Sequence, residues 1–229
     1  MSTSTFAELF VKEIMNDLVW REAELAIMRK QLLQTSVGSP QEQTLLRANV
    51  ALLYAHYEGF CKFCVGVYID ALKKRKLKRK DLKWKIAAHS MKKFFLELKR
   101  HEHQDEFFTQ FIDELNERLD ETADFDNIGE TSNLWPDLLL SWLNRLDLKS
   151  KNVEEQTRYL HELVDSRNKI AHGQRLTIAT REAFNAYAKA ATLAMHEVAL
   201  GVADALEHRS YQRFSTVSTI LNHATPAGV

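Results

Sequence analysis

Apolar residues recur at helical spacing through most of this chain. Between residues 4 and 33, Phe6, Leu9, Phe10, Ile14 and Leu18 follow a 3.6-residue period with Glu and Lys between them, which predicts a long amphipathic helix. The segment TSVGSPQ, with Gly38 and Pro40, breaks it. A second long helix is predicted from Glu42 to Lys76; it is apolar around most of its circumference and is expected to be the most buried element. Shorter helices are predicted at 87–99 and 104–121, and TADFDNIGETSNLWPD reads as a loop. Pro136 suits the first turn of a helix reaching Leu146. Asn152 or a neighbour caps a helix over 153–172, which Gly173 ends. An Ala-rich helix follows over 180–208, and the polar tail 209–229 is expected to be mobile.

Composition agrees with an all-α chain. Among 229 residues there are only 7 Gly and 3 Pro, too few for the many tight turns of a sandwich, barrel or propeller. The expectation is one up-and-down helical bundle over 1–208 with an elaborated middle insert at about 79–150. No run of 18 residues is free of charge. The opening MSTSTFAELFVKEIM lacks the pattern of a signal peptide, and 2 cysteines do not make a disulfide framework. A cytoplasmic protein is expected.

The formal net charge is zero, but its distribution is not even. Residues 71–101 carry a net +11 and residues 102–137 a net −11. Two readings are open: solvated faces that pair with each other, or a basic track for nucleic acid. The densest part is KKRKLKRK, made of Lys73, Lys74, Arg75, Lys76, Lys78, Arg79 and Lys80 around one leucine. As an RNA-binding element it would give steeply salt-dependent binding.

The chemistry is concentrated in YLHELVDSRNKIAHG, residues 159–173. At 100° per residue, Leu160, Leu163, Val164, Ile170 and Ala171 form a buried stripe with Arg167 near its middle. His161, Asn168 and His172 form a polar strip on one flank. A guanidinium on an apolar stripe needs a carboxylate or another anion beside it. It is either a structural arginine in a buried ion pair, or a group facing a cleft or subunit interface where its forked donors bind an RNA phosphate. On the second helix, Arg47, Tyr54, Glu58 and Cys61 lie within about 40° of one another, a polar strip on an apolar helix. Glu58 is the candidate counter-ion for Arg47, Arg167 or both. The strip serves either as a buried network fixing helix register or as support for a catalytic group.

Arg167, four intervening residues, His172 and then Gly173 resemble the Arg-x(4–6)-His motif of the HEPN superfamily (higher eukaryotes and prokaryotes nucleotide-binding). Asn168 matches the polar residue often found after that arginine. Two further stretches, LLRANVALLYAHYEGFCK (45–62) and ETSNLWPDLLLSWLNRLDL (130–148), are similar to blocks of a bacterial HEPN nuclease branch. The resemblance implies a bundle that dimerises through its motif face, bringing two motifs into one cleft. It implies a metal-independent endoribonuclease without cofactor, serving as a toxin or defence effector. His172 would then be the general acid/base, Arg167 the phosphate-binding group, and Asn168 the residue that orients phosphate or imidazole. The RNA 2′-hydroxyl would attack its own phosphodiester and leave a 2′,3′-cyclic phosphate. The alternative is a catalytically silent HEPN module that binds nucleotide or a protein partner such as an antitoxin. A third reading is a helical scaffold in which both residues are structural.

Other signals are weaker. CKFC (Cys61, Cys64) lacks the βαβ setting of a redox pair and reads as core. HEH at 101–103 is isolated, with no other cluster at ligand spacing. Gly-rich phosphate loops are absent.

Overall fold

Ser39 and Pro40 start the helix on which the fold is built. The Ser39 hydroxyl accepts the Glu42 N–H at 3.1 Å, and Pro40 occupies the first helical position, where its missing N–H costs nothing. The computed structural model describes residues 3–98, 104–126, 133–174 and 180–214. Among them are the α-helices α1 (Thr3–Leu33), α2 (Pro40–Arg75), α3 (Trp84–Ser90), α4 (Lys92–Leu98), α5 (Gln104–Asp120), α6 (Pro136–Arg145), α7 (Lys151–Glu155), α8 (Thr157–Ala171) and α9 (Arg181–Glu207). A 3₁₀ turn covers Arg79–Asp81. The described residues contain no strand, only isolated bridges at Lys78–Thr122 and Leu82–Gln212. The architecture is all-α, as the sequence predicts, and no described helix is long and apolar enough to cross a membrane.

Helix α2 packs along α9, α1 lies against both, and α8 closes the other side of the α2–α9 pair. Large side chains of α2, among them Leu46, Val50, Leu53, Tyr57, Phe60 and Ile69, are 0–2% exposed, which confirms α2 as the central element. Burying each such side chain contributes ~1.5–3 kcal/mol relative to exposure. Cys61 and Cys64 are free thiols in this core, and burial pushes both thiol pKa values up.

α2 also carries a polar network on its α1 side. His56 is buried, with Glu24 Oε2 2.9 Å from Nε2 and Arg21 Nη1 3.4 Å from Nδ1. Asp17 holds Arg21 at 2.6 Å. A methyl group at Gly59 would come within 3.1 Å of Arg21 Nη1, so glycine leaves room for that guanidinium. Burial lowers the His56 pKa, against the opposing pull of Glu24.

Four expectations need correction. Leu9 is 60% exposed, so the buried stripe of α1 is Ala7, Phe10, Ile14 and Leu18. The helix expected over 153–172 is two helices interrupted at Gln156. At the break the Thr157 hydroxyl donates to the Val153 carbonyl at 2.9 Å, and the Glu197 carboxylate of α9 accepts the N–H groups of Asn152 and Val153, both at 3.0 Å, and anchors the start of α7. The region predicted as a helix over 87–99 is split into α3 and α4 at Met91. Finally, 209–214 belongs to the folded body. Tyr211 is 1% exposed, its carbonyl accepts Lys83 N–H, and Arg213 N–H donates to the Asp81 carbonyl, each at 2.9 Å. The rest of the tail, 215–229, and the HEH segment lie outside the described residues.

The opposed charge blocks meet within the chain. Lys78 and Lys80 reach Asp120 at 3.2 and 2.6 Å, Arg79 reaches Glu121 at 2.7 Å, and Lys93 reaches Asp126 at 3.4 Å. Of the two readings of the charge pattern, pairing is the one observed for these residues.

The α1–α2 hinge is locked to the start of α9. Glu42 accepts the Gly38 N–H at 2.6 Å and pairs with Arg181, which also donates to the Thr35 carbonyl at 2.7 Å. The Gly38 N–H, with help from Arg181 and against burial, holds the Glu42 carboxyl below its ordinary value of 4.5. A depressed carboxyl pKa stabilises the fold above its unfolded value, and that stability is lost as the pH falls through the folded one. Glu42→Gln is therefore expected to lower the melting temperature at pH 7, with the difference from wild type closing as the pH falls below 4.5. Calorimetry across that range checks it; a gap independent of pH would refute the assignment.

Candidate active site

The C-terminal half of α8 is fixed from below and ends in the open. Leu160, Leu163 and Val164 are fully buried, which sets the rotation of the helix about its axis. Gly173, at φ 71°, terminates it. Gly173 N–H donates to Ile170 O and Gln174 N–H to Lys169 O, each at 3.0 Å, a Schellman turn whose left-handed residue favours glycine. Arg47 of α2 donates to the Gln174 carbonyl at 3.0 Å and ties the turn to the body. Ala171, His172, Gly173 and Gln174 are all exposed. The stripe expected to include Ala171 therefore leaves the core one turn earlier.

Arg167 is half-buried at the edge of this face. One guanidinium nitrogen donates to Asn133 Oδ1 at 2.9 Å and to Asn168 Oδ1 at 3.0 Å. The guanidinium carbon stands 4.6 Å from the centre of the Tyr54 ring. All three partners are neutral, and among the described residues no carboxylate lies within ion-pair distance of Arg167. The expected counter-ion Glu58 sits elsewhere: it accepts from Lys62 of its own helix at 2.7 Å. It is also eleven residues, ~16 Å along the axis, from Arg47. Amide dipoles and a ring face orient the guanidinium without cancelling its charge.

Tyr54 is the hub of this arrangement. It is 1% exposed, its hydroxyl accepts the Leu134 N–H at 3.1 Å, and it lies 3.4 Å from Asn133 Oδ1. Desolvation first, and Glu58 second, raise the phenol pKa to about 12 against the Leu134 N–H, so it stays protonated. Asn133 is the site residue that sequence reasoning missed. Its signal is faint: a lone amide three residues before Pro136, inside the stretch already singled out at 130–148.

Asn168 joins the arginine to the polar flank. It lies four residues from His172, on the same face of the helix. At the far end of the flank, His161 Nε2 meets Asp137 at 2.9 Å and its ring lies 5.4 Å from that of Trp135. The structure thus joins Arg167, Asn168, Asn133 and Tyr54, with Glu58 beside Tyr54, while Arg47 reaches the turn that follows His172.

The basic run is not part of this group. It begins nineteen residues beyond Tyr54, ~28 Å along α2. Arg79 is only 8% exposed and bonds Ser90, the Arg118 carbonyl and Glu121, which removes it from any RNA track. Lys74 and Arg75 lie over Phe10 and Phe6 at 5.0 and 3.8 Å. No group of three His, Cys, Asp or Glu among the described residues is placed to hold a metal.

A family model described as HEPN_MAE_28990-like HEPN matches residues 10–211. The chain belongs to this HEPN family. No curated protein and no solved structure matches it. A nuclease or nucleotide-binding role is the general expectation for a HEPN domain, and the match spans the strip on α2, the 133–135 segment and the motif on α8.

The hub is testable apart from any activity. Tyr54→Phe keeps the ring under Arg167 but leaves the buried Leu134 N–H without its acceptor, and is expected to cost about 1–3 kcal/mol. Urea unfolding measures it. A variant as stable as wild type would show that the tyrosine hydroxyl does not hold the 133–135 segment.

Proposed function

We propose that this HEPN protein is a dimeric endoribonuclease that needs no metal ion, acting as a defence effector or toxin. One observation carries the reading: Arg167 is oriented by two amides and a ring while its charge is left for an external anion. The negative charge on a phosphodiester grows as its phosphorus becomes five-coordinate, and a preorganised guanidinium stabilises that growth. His172, exposed at the end of α8, takes the proton of the RNA 2′-hydroxyl, whose oxygen attacks the adjacent phosphorus. The 5′-oxygen leaves with a proton from a second imidazole. The products are a 2′,3′-cyclic phosphate and a 5′-hydroxyl. One chain supplies one such histidine, so the second is the partner subunit's His172, brought across a two-fold axis. The exposed face from Ala171 to Gln174 supports this, since it leaves the motif open to a second copy.

Purified protein is expected to cleave RNA in excess EDTA and to leave cyclic phosphate ends. His172→Ala and Arg167→Ala are each expected to reduce the rate by about a hundredfold or more with the helical content unchanged. Arg167→Lys is expected to lose most activity too, because an ammonium cannot keep both amide contacts and face the phosphate. Cleavage that survives either alanine change, or a chain that stays monomeric in light scattering while it cleaves, would refute the proposal. RNA binding at the motif without cleavage would instead identify a silent binding module.

Lys78 and Lys80 are committed to Asp120. Changing both to Gln is therefore expected to leave the salt dependence of RNA binding unchanged. A slope reduced by about 1.4 would show that both contact the single strand.

A further inference from the structure

Residues 78–93 contain seven Lys and Arg, and six of them have a carboxylate close by. Lys78 and Lys80 share Asp120, Arg79 has Glu121, Lys83 and Lys85 share Asp147, and Lys93 has Asp126, all within 3.4 Å. Lys92, the first residue of α4, is the exception among the described residues. Arg145, the last residue of α6, likewise has no carboxylate partner among them. Between these two cations stands His89, from the last turn of α3. Its Nε2 is buried with no hydrogen-bond partner among the described residues. The groups that act on its charge are Arg145, Lys92 and the opposing Asp126, and burial with the two cations keeps the imidazole pKa low.

These three side chains line one concavity of about 340 Å³ between α3, α4 and α6, and among the described residues no carboxylate lines it. Phe95 and Leu96 form its apolar wall, and Leu96 is 49% exposed. The fold has paired almost every cation of this stretch, yet the one left over, Lys92, meets Arg145 at one pocket beside a buried ring nitrogen. An anion with an apolar portion supplies what these groups lack: acceptors for Arg145 and Lys92, a partner for His89, and cover for Phe95 and Leu96.

We propose that this pocket binds a phosphate-bearing small molecule of mononucleotide size, with the phosphate on Arg145, Lys92 and His89 and the ring against Phe95 and Leu96. Arginine offers two parallel donors to phosphate oxygens and lysine a mobile point charge, a pairing suited to a dianion. The site is built from the insert and shares no residue with the motif, so it stands or falls independently of the ribonuclease reading.

The test is titration calorimetry of the full-length His172→Ala protein with adenosine and guanosine monophosphates, and with inorganic phosphate as the minimal probe. His172→Ala is used so that turnover does not complicate the signal. At least one nucleotide is expected to bind more tightly than phosphate. Adding Arg145→Glu or Lys92→Glu is expected to weaken binding about tenfold or more, whereas adding Arg167→Ala leaves it unchanged. No binding at millimolar concentration would overturn the proposal, as would binding indifferent to Arg145→Glu and Lys92→Glu. Binding abolished by Arg167→Ala would place the ligand at the motif instead. Phosphate binding as tightly as the nucleotides would refute the ring subsite. Circular dichroism of each variant confirms that a lost signal is not lost folding.

Discussion

A guanidinium held in place by uncharged groups is the constraint around which this molecule is arranged. Arg167 sits where α8, α2 and the 133–135 segment converge, and each contributes one kind of contact: the amide of Asn168, the ring of Tyr54 and the amide of Asn133. A carboxylate in any of these places would make a stronger local pair and a weaker anion site. Keeping the charge uncancelled has its own cost in desolvation, which the half-exposed position and the ring face reduce. The rest of the local design keeps these contacts in register. Leu160, Leu163 and Val164 fix the rotation of α8, the Leu134 N–H fixes Tyr54, and Arg47 holds the turn after His172.

Much of this was legible from residue order alone, because helix period and end signals are local. Pro136 and Gly173 mark ends that the structure places at the same residues, and α2 begins at Pro40, two residues before the predicted Glu42. The position of Arg167 on an apolar stripe and the shared flank of Asn168 and His172 followed from angular spacing. What escaped was decided by distant chain. Glu197 anchors the start of α7 from α9 across more than forty residues, a contact that local spacing cannot show. Tyr211 belongs to the core although its neighbours are polar. Asn133 matters only because Arg167 lies opposite, and a lone asparagine in a loop carries no periodic signal. The counter-ion rule pointed to Glu58, since spacing along α2 gives the angle of a side chain but not the neighbour it prefers. Lys62, one turn away, takes it.

The charge blocks teach a related lesson. A basic run is most often read from sequence as a surface for polyanions, yet here its middle is used inside the fold. Arg79 is nearly buried and bonds the end of α5 through a backbone carbonyl and a carboxylate. The acidic stretch that follows it in sequence is its partner in space. Cations left over after such pairing are more informative about ligands than the run taken as a whole.

Helix α2 bears polar networks on nearly opposite faces, His56 with Arg21 and Glu24 on one and Tyr54 with Arg167 and Asn133 on the other. A shaft keyed on two sides cannot turn in its socket: twisting it to loosen the tyrosine would drag a buried imidazole away from Glu24 and Arg21. Torsion of the central rod is thereby closed off. What remains adjustable is how the exposed outer tip of α8, from Ala171 to Gln174, meets its surroundings.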